Sequence, residues 1–375
     1  MPKHRASDRS VESQVLRQLK QAGAESQMLD LRIEFMEYEG IARYLRGLQG
    51  KERIHPRMAP TQASGRWSTA DPPRGNFPAH SEEDCDRCRS GEELVGGWCP
   101  RDVRATCLPD PDTYWIKFDL DSIEGRVAVA YAKDEEELEV YRRGEDVHTV
   151  LGACPMFRMP PPPLRTKACH EDPSCAEWRA SWSPPWSGGD DRRRHIAKTL
   201  KYATQFSKDY KGAGESKDIE KLGLTKREVL KFAKMYVTSR PILTACKQQR
   251  FEKYARESVS YTFRGRRRRL YGKAWDRAKA GWSHEVQGSV PDIMDDYIIQ
   301  FSKHPVLGQG YLVGNFHDGL EWALPLTVDP AHALQAAVGI VEREWNLAGT
   351  MMPVSAEFKV VYPDGTIKKR KEFTS

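Results

Sequence analysis

At 375 residues the chain can bury a substantial core, and its length suits two or three domain-sized units or one large enzyme module with subdomains. A formal net charge of +6, a pI near 8.8 and 30% charged residues give a mild basic excess that favours a polyanionic partner. No apolar run reaches the ~18 to 20 residues of a membrane span, and Met1–Ser10 is polar and basic without an apolar signal core, so the expectation is a cytoplasmic protein with no membrane partner.

In chain order, residues 11–50 place Val15, Leu16, Leu19, Leu29, Ile33 and Phe35 among charges at helical spacing, which predicts one or two helices. Arg53 to Pro78 is rich in Pro, Gly, Ser and Thr and reads as irregular backbone. A polar, Cys-bearing insert follows. TYWIKFDL (113–120) is dense in β-formers and ends on acidic residues, as a buried strand delivering carboxylates would. Residues 123–150 return to helical composition, and FRMPPPPLRT and ASWSPPWSGGDD flank a second Cys-rich piece as loops. DRRRHIAKTLKYATQF predicts a helix, TKREVLKFAKMYVTS a second with Thr225 as N-cap, and 273–301 a third. GYLVGNFHDGLEWALPL reads as two strands joined at His317, Asp318 and Gly319 with Asp-Gly turn chemistry. A helix over 331–347 and a strand pair over 354–369 around Pro363-Asp364-Gly365 close a mixed α+β order without internal repeats.

Two acids sit at strand ends, Asp119 and Asp318. A two-metal phosphoryl-transfer site needs carboxylates that clamp ions ~3.5 to 4 Å apart, and magnesium, which keeps several waters, needs few protein ligands. Singly, Asp119 reads as well as a strand-end cap, and Asp318 as a turn residue. Between them Arg194, Lys198, Tyr202 and Phe206 recur every four residues, placing two cations and two aromatics on one helical stripe suited to a triphosphate and then a base. Arg192–Arg194 and Arg264, Arg266, Arg267, Arg268 and Arg269 form two basic clusters, suited to phosphate or to a solvated loop.

These residues carry a resemblance to the family A (bacterial DNA polymerase I-like) DNA polymerases. Residues 118–149, from FDLDSIEGR to GEDVHT, resemble the first polymerase motif and its downstream Asp-Ile-His-Thr element; RRHIAKTLKYATQF resembles the nucleotide-binding helix; HDG (317–319) resembles His-Asp-Glu. QASGRWSTADPPRGNFP, FRGRRRRL and HEVQGSVPDI are similar to three flanking segments in the same order.

The resemblance implies a right-hand fold with an antiparallel palm sheet, helical fingers and a truncated thumb. Its implied domains are N-terminal helices over 1–52, palm over 53–133 with a Cys-rich insert at 80–107, fingers over 134–265 with an insertion at 154–190, and further palm over 266–375. It implies that Asp119, Asp318 and the Leu120 carbonyl hold two Mg2+ ions, and that Arg194, Lys198, Tyr202, Glu124, His148 and Phe206 bind the dNTP. Arg66, Arg267, Gln287 and His317 would contact primer-template DNA, and Arg126 would support the site. Glu124 would crowd the sugar 2′ position and so favour DNA synthesis, whereas Tyr202 would ease acceptance of chain terminators. Gly319 departs from the usual acid, and the short N-terminal stretch predicts no exonuclease domain and a protein partner supplying a thumb-like or processivity function.

Cys85, Cys88 and Cys99, with Cys107 or His80 as a fourth ligand, suit a structural Zn2+ or a set of reduced thiols; Cys154, Cys169, His170 and Cys175 form a second such set. The implied activity is template-directed DNA polymerisation. A replisome scaffold derived from such an enzyme and an RNA- or primer-synthesising polymerase are the alternatives.

Overall fold

The structure, a computed structural model, describes residues 42–59, 64–70, 106–166, 172–180, 189–207 and 224–373, together with Glu39, Gln62, Cys169 and Lys211. Cys85, Cys88, Cys99, His80 and His170, and most of the predicted N-terminal helices, lie outside these residues. The chain divides into two compact units. The smaller, drawn among the described residues from 42–59, 68–70, 106–111 and 362–366, contains the antiparallel pair β1 (Arg57–Ala59) and β2 (Ser68–Ala70). In it Cys107 shares an apolar cluster with Tyr44, Leu45, Leu48 and Ile54.

The larger unit is built on a five-stranded antiparallel sheet. β3 (Thr113–Leu120), β6 (Tyr311–Phe316), β7 (Gly319–Pro325), β10 (Ala356–Val361) and β11 (Ile367–Lys369) stand in the order β11-β10-β3-β7-β6. β3 occupies the centre because Tyr114, Trp115, Ile116 and Phe118 are apolar to both faces, the pattern of a strand covered on each side. Phe118 meets Tyr297, Phe301 and Phe358 with ring centroids 5.9, 6.1 and 5.5 Å apart.

Helices α1 (Ile123–Ala132) and α2 (Glu135–Arg142) follow β3, and a π-helical turn at Thr149–Ala153 runs into α3 (Cys154–Phe157). After the short α4 (Ala176–Ala180), α5 (Gly189–Phe206) packs on that π turn closely enough that a Cβ on Gly152 would lie 2.9 Å from Ala197 Cβ. α6 (Lys226–Thr238) joins this cluster through Val229, Phe232 and Tyr236, and Thr225 caps it with a capping box to Glu228, as its sequence predicts.

α7 (Pro241–Arg256), absent from the sequence-based expectation, begins with proline at the first turn, where a missing N–H costs nothing. The helix predicted over 273–301 is two, α8 (Ala274–Gln287) and α9 (Ser289–Lys303), divided at Gly288, where Pro291 cannot donate back to the preceding turn. α10 (Pro330–Val341) ends before the predicted 347. Trp345–Leu347 instead becomes β8, paired with β9 (Thr350–Met352) through a loop of Ala348 and Gly349, both at positive φ. A separate hairpin pairs β4 (Val259–Tyr261) with β5 (Arg267–Arg269).

At the second cysteine set, read as zinc ligands or reduced thiols, neither alternative holds for two members: Cys169 and Cys175 are joined in a disulfide, brought together by the turn at Pro173–Cys175, while Cys154 is a free thiol that donates to the Pro160 carbonyl at 3.4 Å.

Candidate active site

Asp119 is the penultimate residue of β3 and Asp318 lies in the two-residue turn between β6 and β7. The turn differs from the predicted Asp-Gly form, because Phe316 pairs with Gly319 and His317 takes the left-handed conformation at φ 61. Gly319 is extended and stands opposite Asp119, where a Cβ would come within 3.1 Å of Asp119 Oδ1. The Leu120 N–H donates to the Asp318 carbonyl at 2.9 Å, so the two acids ride on adjacent, mutually hydrogen-bonded strand ends.

Desolvation, then the charges of Asp318, Asp121 and Glu357, push the Asp119 carboxyl up to about 7. Burial also raises Asp318, opposed by the charges of Arg66 and Lys198. Among the described residues no three His, Cys, Asp or Glu side chains gather as a metal site. Two crowded acids at one place nevertheless fit a magnesium ion, which completes its shell with water.

α1 starts beside this pair. Glu124 accepts from Arg66 Nη2 and, at 3.4 Å, from Gln287 Nε2, so three predicted site residues meet here. Gln205 of α5 donates to the Glu124 carbonyl at 3.1 Å and ties the helix to the same point. Arg126 is spent internally, on the carbonyls of Asp121 and Pro353 at 2.7 and 3.0 Å and on Ser355 Oγ at 2.6 Å.

On α5, Arg194 forks onto Asp146, with Nε to Oδ2 at 2.7 Å and Nη2 to Oδ1 at 3.1 Å, and Thr149 Oγ1 donates to the same carboxylate at 2.5 Å. One turn on, Lys198 is exposed, and its charge acts on Asp318 and His148. His148 is buried with its ring 6.3 Å from that of Tyr202, and its Nε2 lies 3.3 Å from Ser122 Oγ. Burial, then Lys201 and Arg194, hold its pKa well below the ordinary value, so the imidazole is neutral. Tyr202 is half-buried and hydrogen-bonded to Ser122, which sits at φ 50 as the N-cap of α1. Phe206 ends the helix half-buried, and Arg267 is exposed on β5.

Sequence reasoning missed Asp146, Gln205 and the buried Lys201, which donates to Tyr141 Oη at 3.1 Å. Asp146 had a signal, since it stands two residues before His148 in GEDVHT. Lys201 had none beyond its place beside Tyr202.

No protein-family model matches the chain. It is 24% identical to thermostable DNA polymerase I of Thermus thermophilus over 306 residues, 79% of this chain and 31% of that protein. To thermostable DNA polymerase I of Thermus filiformis it is 24% identical over 282 residues, 73% and 28% of the two chains. It thus spans about a third or less of these relatives. The POL domain of Pol1 from M. smegmatis, solved in complex with DNA primer-template and dNTP, superposes with a TM-score of 0.65 at 17% identity, covering 92% of this chain and 54% of that one. Sequence likeness and architecture agree: the chain has the α+β fold of a DNA polymerase I polymerase domain and is similar in sequence, at 24% identity, to DNA polymerase I.

Proposed function

We propose that the chain is a template-directed DNA polymerase that extends a primer with dNTPs. The observation that carries this reading is the pair Asp119 and Asp318 on adjoining strand ends, their carboxyls raised by burial and crowding, with the exposed Lys198 acting on one of them. Asp119, Asp318 and the Leu120 carbonyl are the groups that would hold two magnesium ions. Magnesium bound there would activate the primer hydroxyl and neutralise charge on the leaving pyrophosphate.

The chain's own residues supply position. Lys198 and Arg194 offer cations to the triphosphate, Arg194 with its fork already oriented by Asp146. Tyr202 and Phe206 offer ring faces to the base and sugar. The neutral His148 donates or accepts without adding charge. Glu124, pinned by Arg66 and Gln287, fills the space beside the sugar 2′ position and disfavours ribonucleotides. Arg66, Gln287, His317 and Arg267 are the proposed contacts to primer-template DNA.

Primer extension by the wild-type chain with each dNTP and magnesium tests the reading. Templated incorporation is expected, and its absence for all four nucleotides overturns the assignment.

A further inference from the structure

The arginine run 264–269 is divided by the fold. Arg264 pairs with Asp296 at 2.7 Å. Arg266 pairs with Asp292 and donates to the Gly288 carbonyl at 2.8 Å. Arg268 faces inward, opposite the fully buried Ser260, and its charge helps hold the buried His284 neutral.

Arg267 and Arg269 do the reverse: both are exposed on the outer face of the hairpin, and neither has a carboxylate partner among the described residues. Tyr261 stands opposite Arg267 and is 53% exposed. Leu270 is buried and donates its N–H to the Ser258 carbonyl at 2.8 Å, so the strand alternation runs one residue further. Tyr271 follows at the next alternate position after Arg267 and Arg269 and is 73% exposed. Two cations without a carboxylate partner among the described residues therefore lie in sequence beside two exposed tyrosine rings.

From this arrangement we infer that the outer face of the β4–β5 hairpin binds a single-stranded stretch of nucleic acid, with Arg267 and Arg269 on phosphates and Tyr261 and Tyr271 stacked on bases. Ring stacking requires base faces that a duplex keeps hidden in its own stack, and every base has such a face, so binding is independent of sequence. The inference rests on, and deepens, the polymerase reading: the strand is unpaired template beyond the primer terminus.

The test uses the full chain, a fluorescein-labelled oligo-dT and a blunt-ended hairpin duplex. Tyr261→Ala with Tyr271→Ala should weaken oligo-dT binding by about 10- to 100-fold and change duplex binding little. Arg267→Gln with Arg269→Gln should lower the salt slope for oligo-dT by about 1.4, as expected for two phosphate contacts on a single strand. All four side chains are exposed, so melting temperatures should match the wild type. Unchanged oligo-dT affinity in both double variants, or equal losses on oligo-dT and duplex, overturns the inference. If the wild type extends primers while the variants bind as it does, this assignment alone fails. If it incorporates nothing while oligo-dT binding still depends on the tyrosines, the polymerase reading fails and the hairpin assignment stands.

Discussion

The strand ends carrying Asp119 and Asp318 and the helix junction carrying Glu137 and Arg240 treat charge in opposite ways. Arg240 Nε donates to Glu137 Oε2 at 2.8 Å, its Nη2 pairs with the other carboxylate oxygen, and both side chains are only 5% exposed. There the protein spends two opposite charges on each other and closes them from water. At the strand ends it gathers like charges, leaves them half open and, among the described residues, gives them no counter-charge as close. A matched buried pair becomes a large cost only when one partner is lost, whereas a like-charged and accessible pair is a stability cost that a bound cation would relieve.

The contrast can be broken first at the acids. Asp119→Asn or Asp318→Asn should lower dNTP incorporation by about four orders of magnitude, or ~5 to 6 kcal/mol of barrier. Melting temperature should hold or rise, because a like charge has been removed. Activity close to wild type in either variant would sink the metal-ligand assignment. Glu137→Ala should do the reverse to the scaffold, costing about 3 to 5 kcal/mol in denaturant unfolding by leaving the Arg240 charge buried and alone. Replacing both, as in E137L with R240M, should recover most of that loss.

A third charged environment sharpens the comparison through pH. His284 is 1% exposed and shares a 2.8 Å hydrogen bond with Ser260 Oγ, and burial followed by Arg268 and Arg266 lowers its pKa to about 4. With the folded value depressed, the unfolded chain takes up the proton first. Its contribution is therefore fully present above the unfolded value near 6.5 and is lost as pH falls towards 4, on the order of 3 kcal/mol. Unfolding measured at intervals from pH 7 to 4 should show that decline, reduced in His284→Gln; an identical profile for the two proteins would exclude His284 as its source. The smallest effect is expected at Glu124. Glu124→Ala should raise ribonucleotide over deoxyribonucleotide incorporation by about 10- to 100-fold, and an unchanged ratio removes it as the sugar gate.

Legibility followed the range of the interactions. β3 was readable to the residue because its apolar run is local, and α6 was readable from its cap. The break at Gly288 was hidden inside helical composition, and the turn type at His317 was hidden because Asp-Gly looked sufficient. The disulfide between Cys169 and Cys175 escaped a reading that grouped cysteines by spacing alone.

The candidate site shows the same limit. The stripe of Arg194, Lys198, Tyr202 and Phe206 was visible, since helical periodicity lists which residues share a face. What Arg194 touches was not, because Asp146 arrives from another element 48 positions away.

By itself the sequence determined many of the elements and the residue types at their ends: acids after a buried strand, a cation and aromatic stripe on a helix, and a dense arginine cluster. Tertiary structure decided which of those charges are spent and which remain available. Arg66 and Gln287 reach Glu124 across 58 and 163 positions, and only packing brings them together. The same holds within the arginine run, where strand alternation sets two outward, yet only the folded neighbours Asp292 and Asp296 show that Arg264 and Arg266 are already taken. Periodicity is a property of neighbours along the chain, whereas pairing and desolvation depend on what the rest of the molecule places within a few ångströms.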